Sequence, residues 1–217
     1  MGLAPYQLVG MVSVMVAALI TSRTRLLDGA LKLIRTKGYT ASTVEDFCAA
    51  ASVTKGSFFH HFKGKQDLVL STIAHWNTST GALFEQAPYQ QISDPRDRML
   101  AYIDFRSALL QGDLPDFTCL LGTLVQETFE TQPLLRAACK DGIAAHTLTV
   151  ARHLESAKRV YAPDASWQAE ALAYYSQAVI QGAFILAKAQ GGAQVAADCI
   201  AQLRAHVASL LGAPSRP

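Results

Sequence analysis

The sequence predicts an all-α protein of about nine helices, with three short ones at the N-terminal end and longer ones after them. Three observations carry this expectation. Apolar residues recur at i, i+3, i+4, i+7 spacing along most of the 217 residues, and no stretch alternates convincingly as a strand. Polar caps and Gly or Pro stops cut that pattern into segments. Residues 42–65, STVEDFCAAASVTKGSFFHHFKGK, hold two short helix signals separated by a tight turn.

Residues 1–20, MGLAPYQLVGMVSVMVAALI, form an apolar leader with no charge from Leu8 to Ile20. The run is shorter than the roughly 20 apolar residues a spanning helix needs, and no basic residue precedes it as a signal peptide would require. Three readings stay open: an extra helix packed on the body or a partner subunit, a disordered leader, or an upstream start with Met11 or Met15 as the true one. Residues 22–38 then read as a helix, with Leu27, Ala30, Leu31 and Ile34 on one face and Gly38 as its stop.

The next segment reads as a helix-turn-helix. Ser42 and Thr43, followed by Glu45, give a capping-box start; the first helix ends near Ala51; Ser52-Val53 turns; Thr54 caps a second helix, Lys55 to His61. A helix, a short turn and a second helix with small polar residues at its start have the shape that enters a DNA major groove. Charge agrees with this. Thr21 to Lys65 carries eight basic and three acidic residues, a surplus of five, against +2 for the whole chain, so the remainder is net acidic by three. A basic head on a mildly acidic body suits DNA at one end and another partner at the other.

Gly64 breaks the chain, and a long helix runs from Lys65 to about residue 86, with Leu68, Val69, Ile73, Trp76 and Leu83 apolar. Asp94-Pro95 opens a helix to about Gln111, as a cap followed by Pro at the first position. Asp116 caps another, Phe117 to about Glu130. Pro133 begins one to about residue 159, Ser166 caps one to about Gln190, and the last covers about 194–211. The tail from Gly212 should fray. The last two helices are apolar on more than one face: Ala171, Tyr174, Tyr175, Ala178 and Ile185 on one, Val195, Cys199, Ile200, Leu203, Val207 and Leu210 on the other. A terminal hairpin of this kind packs once on its own body and once on a twin, so a homodimer through a four-helix bundle is expected.

At this point the residues of the head resemble a known family. Arg25 to Leu68 is similar to the DNA-binding domain of the TetR transcriptional regulators. The resemblance rests on G-Y-x-A-S-T from Gly38 to Thr43, A-A-A-x-V-T-K-G-S-F-F-H-H-F from Ala49 to Phe62, and K-x-x-L from Lys65 to Leu68. It implies an all-α dimer with three-helix DNA-binding heads. It also implies a ligand pocket in each body, and an effector that changes the spacing of the heads. The expected division is 21–66 for the DNA-binding domain and 67–217 for ligand binding and dimerisation. One departure matters: members usually have Tyr where this chain has Phe59, and that hydroxyl commonly touches a phosphate.

Candidate base-reading positions are Thr54, Lys55, Gly56, Ser57 and Phe58 on the first turn of the second helix. Lys55 could donate to a guanine edge and Phe58 could pack on a thymine methyl. Phe59 and Phe62 are expected in the core. His60 and His61 are candidates for the groove or a phosphate; adjacent histidines lack the i, i+4 spacing of a metal pair, so no metal is expected. Thr40, Ser42, Thr43, Lys63 and Lys65 are the phosphate candidates, because helix N-termini attract anions.

In the body, candidate ligand contacts are Trp76, Phe84, Tyr102, Phe105, Cys119, Leu120, Gln126, Phe129, His146, Trp167, Tyr174, Gln177 and Phe184. These aromatics with a few polar groups suit a mostly apolar cavity, and hence a moderately hydrophobic effector. The four cysteines, Cys48, Cys119, Cys139 and Cys199, show no C-x-x-C spacing, so neither zinc nor a disulfide framework is expected, and the reducing cytoplasm is the default. Cys119 is the one to watch as a thiol sensor. No Gly-rich phosphate loop, H-E-x-x-H, G-x-S-x-G or paired-acid motif is present, so neither a catalytic site nor a cofactor is expected. The competing readings are a small-molecule-binding helical enzyme and a helical interaction protein whose basic head docks on an acidic partner.

Overall fold

The computed structural model describes residues 21–212, so the apolar leader 1–20 and the tail beyond Gly212 lie outside the described residues. The described residues form ten α-helices and one 3₁₀ turn, without a strand. The head holds α1 (Ser22–Lys37), α2 (Val44–Ala51) and α3 (Lys55–His61). The body holds α4 (Lys65–Glu85), the 3₁₀ turn Pro88–Gln91, α5 (Pro95–Ala108), α6 (Leu114–Phe117), α7 (Leu120–Thr128), α8 (Pro133–Tyr161), α9 (Ala169–Gln190) and α10 (Gln194–Leu211).

The all-α class is as expected; the count rises by one because a short helix, Leu114–Phe117, forms where Gly112–Pro115 reads as a loop, and the helix expected from Phe117 starts at Leu120. Thr118 and Cys119 are both extended, with ψ of 152° and 126°, which breaks the helical path. The Thr118 hydroxyl closes α6 by donating to the Leu114 carbonyl at 2.8 Å. The helix expected to start after Ser166 begins at Ala169, with Gln168 as its cap residue and no side-chain cap bond.

Local chemistry fixes the head. Gly38 has φ of +88°, and its N–H donates to the Ile34 carbonyl at 2.9 Å. Any other residue would be strained there. The capping box lies one residue later than its sequence signal. The Thr43 hydroxyl accepts from the Asp46 N–H at 3.1 Å, and the Asp46 carboxylate accepts from the Thr43 N–H at 2.8 Å. The Lys37 ammonium at 2.7 Å, and then the bonds to Thr43, hold the Asp46 carboxyl down at about 2. At the turn, Ser52 takes the left-handed conformation (φ 52°, ψ 50°), and the Val53 N–H returns to the Cys48 carbonyl at 2.9 Å. Thr54 then caps α3 by accepting from the Ser57 N–H at 3.2 Å.

The head's core does not stop at its edge. Leu26, Leu27, Ala30 and Ile34 of α1 meet Phe47, Phe58 and Phe62, and α4 closes the cluster with Leu68, Val69 and Ile73. The same cluster runs on into Leu120, Leu121 and Leu124 of α7 and Leu135 and Cys139 of α8. A second core joins α5, α8, α9 and α10 through Tyr102, Ile103, Val150, Leu154, Ala173, Ile180, Leu203 and Val207. Each fully buried side chain of this size contributes roughly 1.5–3 kcal/mol, so the shared cluster ties head and body mechanically. α9 carries apolar residues on its outer face too: Tyr174, Tyr175, Ile185 and Leu186 are exposed.

Candidate nucleic-acid interface and body cavity

α3 presents Thr54, Lys55, Gly56, Phe59 and His60 to solvent, with Ser57 half-buried. Phe58 and Phe59 exchange the places expected of them. Phe58 is fully buried, and Phe59 is 57% exposed. The reason is helical phase. Phe58 and Phe62, four residues apart, share the face that meets α1 and α2, with ring centroids 5.9 Å apart. Phe59 lies a further ~100° round that helix and stands edge-on to Phe58 at 5.1 Å. It is therefore Phe59 that can meet a thymine methyl.

Lys55 pairs with Glu45 across the turn, and both side chains are more than half exposed. That bond holds the Glu45 carboxyl below its usual range. His61 is half-buried, its Nε2 2.7 Å from the Ser22 hydroxyl, whereas His60 is exposed. Among the described residues no three His, Cys, Asp or Glu side chains gather as a metal site.

The phosphate candidates divide. Ser42 is buried, and its hydroxyl donates to the Gly38 carbonyl at 2.6 Å. It neither caps α2 nor reaches solvent, because the tight Gly38 turn folds it inward. Thr43 is exposed at the N-terminus of α2, and Lys63 is exposed before α4. Lys65 lies with its ammonium 4.1 Å from the Tyr39 ring centre and within 3.4 Å of the Thr40 carbonyl. Burial lowers its pKa. Thr40 is exposed, but its N–H is already taken, as is that of Tyr39. Both donate to the Glu127 carboxylate of α7, at 2.7 and 2.6 Å. Sequence reading missed Glu127, since nothing local marks a body residue that clamps the α1–α2 junction. It also missed Arg35, whose guanidinium donates to the Asp116 and Thr118 carbonyls at 3.3 and 3.2 Å and lies 5.1 Å from the Trp76 ring centre.

The body candidates do not gather in one place. One group is an aromatic cluster around Tyr102. Its hydroxyl is 2.9 Å from His146 Nε2 and 3.5 Å from Gln177 Nε2, with Phe84, Tyr89 and Phe105 around it. Burial pushes the His146 imidazole down to about 3, so it is neutral at ordinary pH. A second group borders a cavity of about 150 Å³ between α7 and α9. Thr118, Cys119, Thr123 and Gln126 form one wall; Gln181, Phe184, Ile185 and Lys188 form the other. Trp76 sits instead at the head–body junction and Trp167 under Lys158, while Phe129 and Tyr174 are exposed. Helical spacing alone could not sort these four from the rest, because it shows a face without showing what covers it. All four cysteines are free; Cys119 is half-buried in the cavity wall, and burial pushes the Cys139 thiol up to about 12.

Residues 26–72, which hold α2, α3 and their turn, match the family described as bacterial regulatory proteins of the tetR type, and residues 95–202 match the C-terminal domain of LmrA/YxaF-like transcriptional regulators. The chain belongs to the TetR family of transcriptional regulators. Among curated relatives it is 30% identical over 113 residues to the transcriptional regulator AcuR of Cereibacter sphaeroides, covering 52% of each chain. It is 36% identical over 62 residues to the regulator YvkB of Bacillus subtilis, covering 29% of this chain and 33% of that one. The chain thus spans about a third to a half of the length of these relatives. Among solved structures, a regulatory protein TetR from Rhodobacter sphaeroides has the same fold, with a TM-score of 0.76 at 24% identity over 85% of this chain and 98% of that one. As a member of this family, the protein is a regulator with a DNA-binding helix-turn-helix. No helix among the described residues is long and apolar enough to cross a membrane.

Proposed function

We propose that this regulator is a repressor: a homodimer that holds a near-palindromic operator and releases it when a small, moderately hydrophobic molecule enters the body. The observation that carries this reading is the continuity of head and body. The shared core and the Glu127 clamp tie the head to α7, and the Arg35 bonds tie it to the residues just before α7. A body that changes shape around a ligand must therefore re-aim α3, and a ligand that prefers one shape shifts the DNA equilibrium.

Base reading falls to Lys55, Ser57, Phe59 and His60, and phosphate holding to Thr43, Lys63 and Lys65 near helix N-termini. The homodimer forms through the outer face of α9 with α10, where Tyr174, Tyr175, Ile185 and Leu186 would leave water. The two α3 helices then reach successive major grooves roughly 34–36 Å apart or a multiple of that. Its place of action is the cytoplasm, where the DNA is, and its chemistry is binding rather than catalysis.

The test is selection of bound DNA from a random pool, followed by fluorescence anisotropy on the winner. A near-palindrome should emerge. Lys55→Ala should weaken binding to it and flatten the salt dependence by about one counterion per head. A pool that yields no enriched sequence, or an operator whose binding ignores Lys55→Ala, would sink the reading.

A further inference from the structure

The cavity between α7 and α9 has a chemical character that the sequence did not suggest. Its mouth carries Lys188, whose ammonium turns back to the Thr123 hydroxyl at 2.9 Å. That hydroxyl already donates to the Cys119 carbonyl at 3.0 Å, so it accepts from Lys188. Burial lowers the Lys188 pKa, with the Cys119 thiol acting against that shift and the Arg35 cation adding to it. Among the described residues no carboxylate lies within ion-pair reach of Lys188. The nearest acid on Arg35, Asp116, has its carboxylate engaged by the Asp113 N–H at 2.9 Å in its own capping box. One cation, Lys188, thus lines a small cavity whose remaining wall includes the Phe184 ring and Ile185, while Arg35 stands behind that wall on the Thr118 carbonyl. A space of about 150 Å³ accommodates roughly one benzene-sized ring.

We propose that this cavity is the effector site and that it takes a small, ring-sized organic carboxylate, its apolar body against Phe184 and its charge on Lys188. The inference rests on the reading of the protein as a ligand-responsive regulator and sharpens its ligand to an anion. The cavity, not the aromatic cluster around Tyr102, is the site because its wall is also what holds the head. The Thr118 carbonyl accepts from Arg35, and Glu127, next to the cavity residue Gln126, clamps the Tyr39 and Thr40 N–H groups. A ligand that spreads α7 from α9 acts on both bonds at once.

Calorimetry with the full chain tests the site, using benzoate as probe and benzamide and benzyl alcohol as neutral isosteres. Benzoate should bind the wild type, and the isosteres should bind at least about tenfold more weakly, as expected when a charge-assisted bond is lost. Lys188→Met should reduce benzoate to the level of benzamide, Lys188→Arg should keep most of the affinity, and neither should shift the ligand-free melting temperature. No heat with benzoate, equal affinity for benzamide, or full affinity in Lys188→Met would overturn the site. Saturating benzoate should also weaken binding to the selected operator at least several-fold; benzoate that binds through Lys188 and leaves operator affinity unchanged would overturn the effector role. A protein that binds benzoate through Lys188 but enriches no DNA sequence would support the site and sink the regulator reading, so the two failures are distinct.

Discussion

Lys55 opens α3 with its ammonium on Glu45, so the Glu45 carboxylate competes with DNA for that ammonium. Both side chains are more than half exposed, so the pair's contribution to stability is small, but the competition for one ammonium bears directly on DNA affinity. Glu45→Gln is expected to tighten operator binding by roughly two- to fivefold, since it frees Lys55 and removes a negative charge facing phosphates. Anisotropy titrations at two salt concentrations measure this; unchanged affinity would show that Lys55 does not contact DNA. Beside it, Phe59 stands where a tyrosine is common in the family, so the proposed phosphate contacts are assigned to Thr43, Lys63 and Lys65. The Tyr39 ring keeps Lys65 at the α1–α2 junction rather than free in solvent.

The element that couples the two ends is α7. It is only nine residues long, yet its inner face joins the head's core, and its Glu127 carboxylate caps the junction between α1 and α2. Gly38 makes that junction possible. A Cβ there would stand 3.0 Å from a Glu127 carboxylate oxygen, on a backbone with φ of +88°. Gly38→Ala is therefore expected to destabilise the fold by about 1–3 kcal/mol, lowering the melting temperature by several degrees for a chain of this size. Glu127→Gln, which keeps the shape but loses the charge, should cost less stability while weakening the link between ligand and DNA. If thermal melts showed Gly38→Ala as stable as the parent, the tight junction inferred here would be wrong.

For the whole molecule, two properties emerge from packing. Tyr174, Tyr175, Ile185 and Leu186 leave α9 apolar on the side away from its own core, and a large exposed apolar patch marks an interface. Leu186→Glu should convert the proposed dimer to a monomer in light scattering and lose most of the affinity for the proposed palindrome, while a half-site is still bound weakly. The second property is acid sensitivity. Burial holds the His146 imidazole at about 3, and His153 is lowered as well. As pH falls below the ordinary histidine value of about 6.5, the unfolded chain takes up protons that the folded chain refuses. Stability is thus constant above about 6.5 with respect to this group, and it falls between there and about 3, by an amount on the order of a few kcal/mol. His146→Gln, which can still hydrogen-bond the Tyr102 hydroxyl, should flatten the acid limb of stability measured by urea melts, leaving the smaller share of His153. An unchanged acid limb would place the sensitivity elsewhere.

By itself the sequence determined the all-α class, the helix ends of the head and most of those in the body, the helix-turn-helix and the surface lysines of the head. These depend on caps, stops and periodicity within a few residues of each other, and local chemistry suffices for them. It misplaced what hangs on rotation about a short helix: on seven residues, both Phe58 and Phe59 fit the apolar pattern, and only packing against α1 and α2 selects Phe58. Likewise Ser42 and Thr43 offer the same hydroxyl to α2, and the Gly38 turn decides which one caps. Tertiary structure alone decided that Cys119 and Lys188, far apart along the chain, line one cavity, that Arg35 bonds the Thr118 carbonyl of its wall, and that Glu127 closes on the backbone of the head. Those meetings are set by how α1, α7 and α9 cross, and the energy that fixes the crossing lies in apolar burial shared among many residues rather than in any short motif.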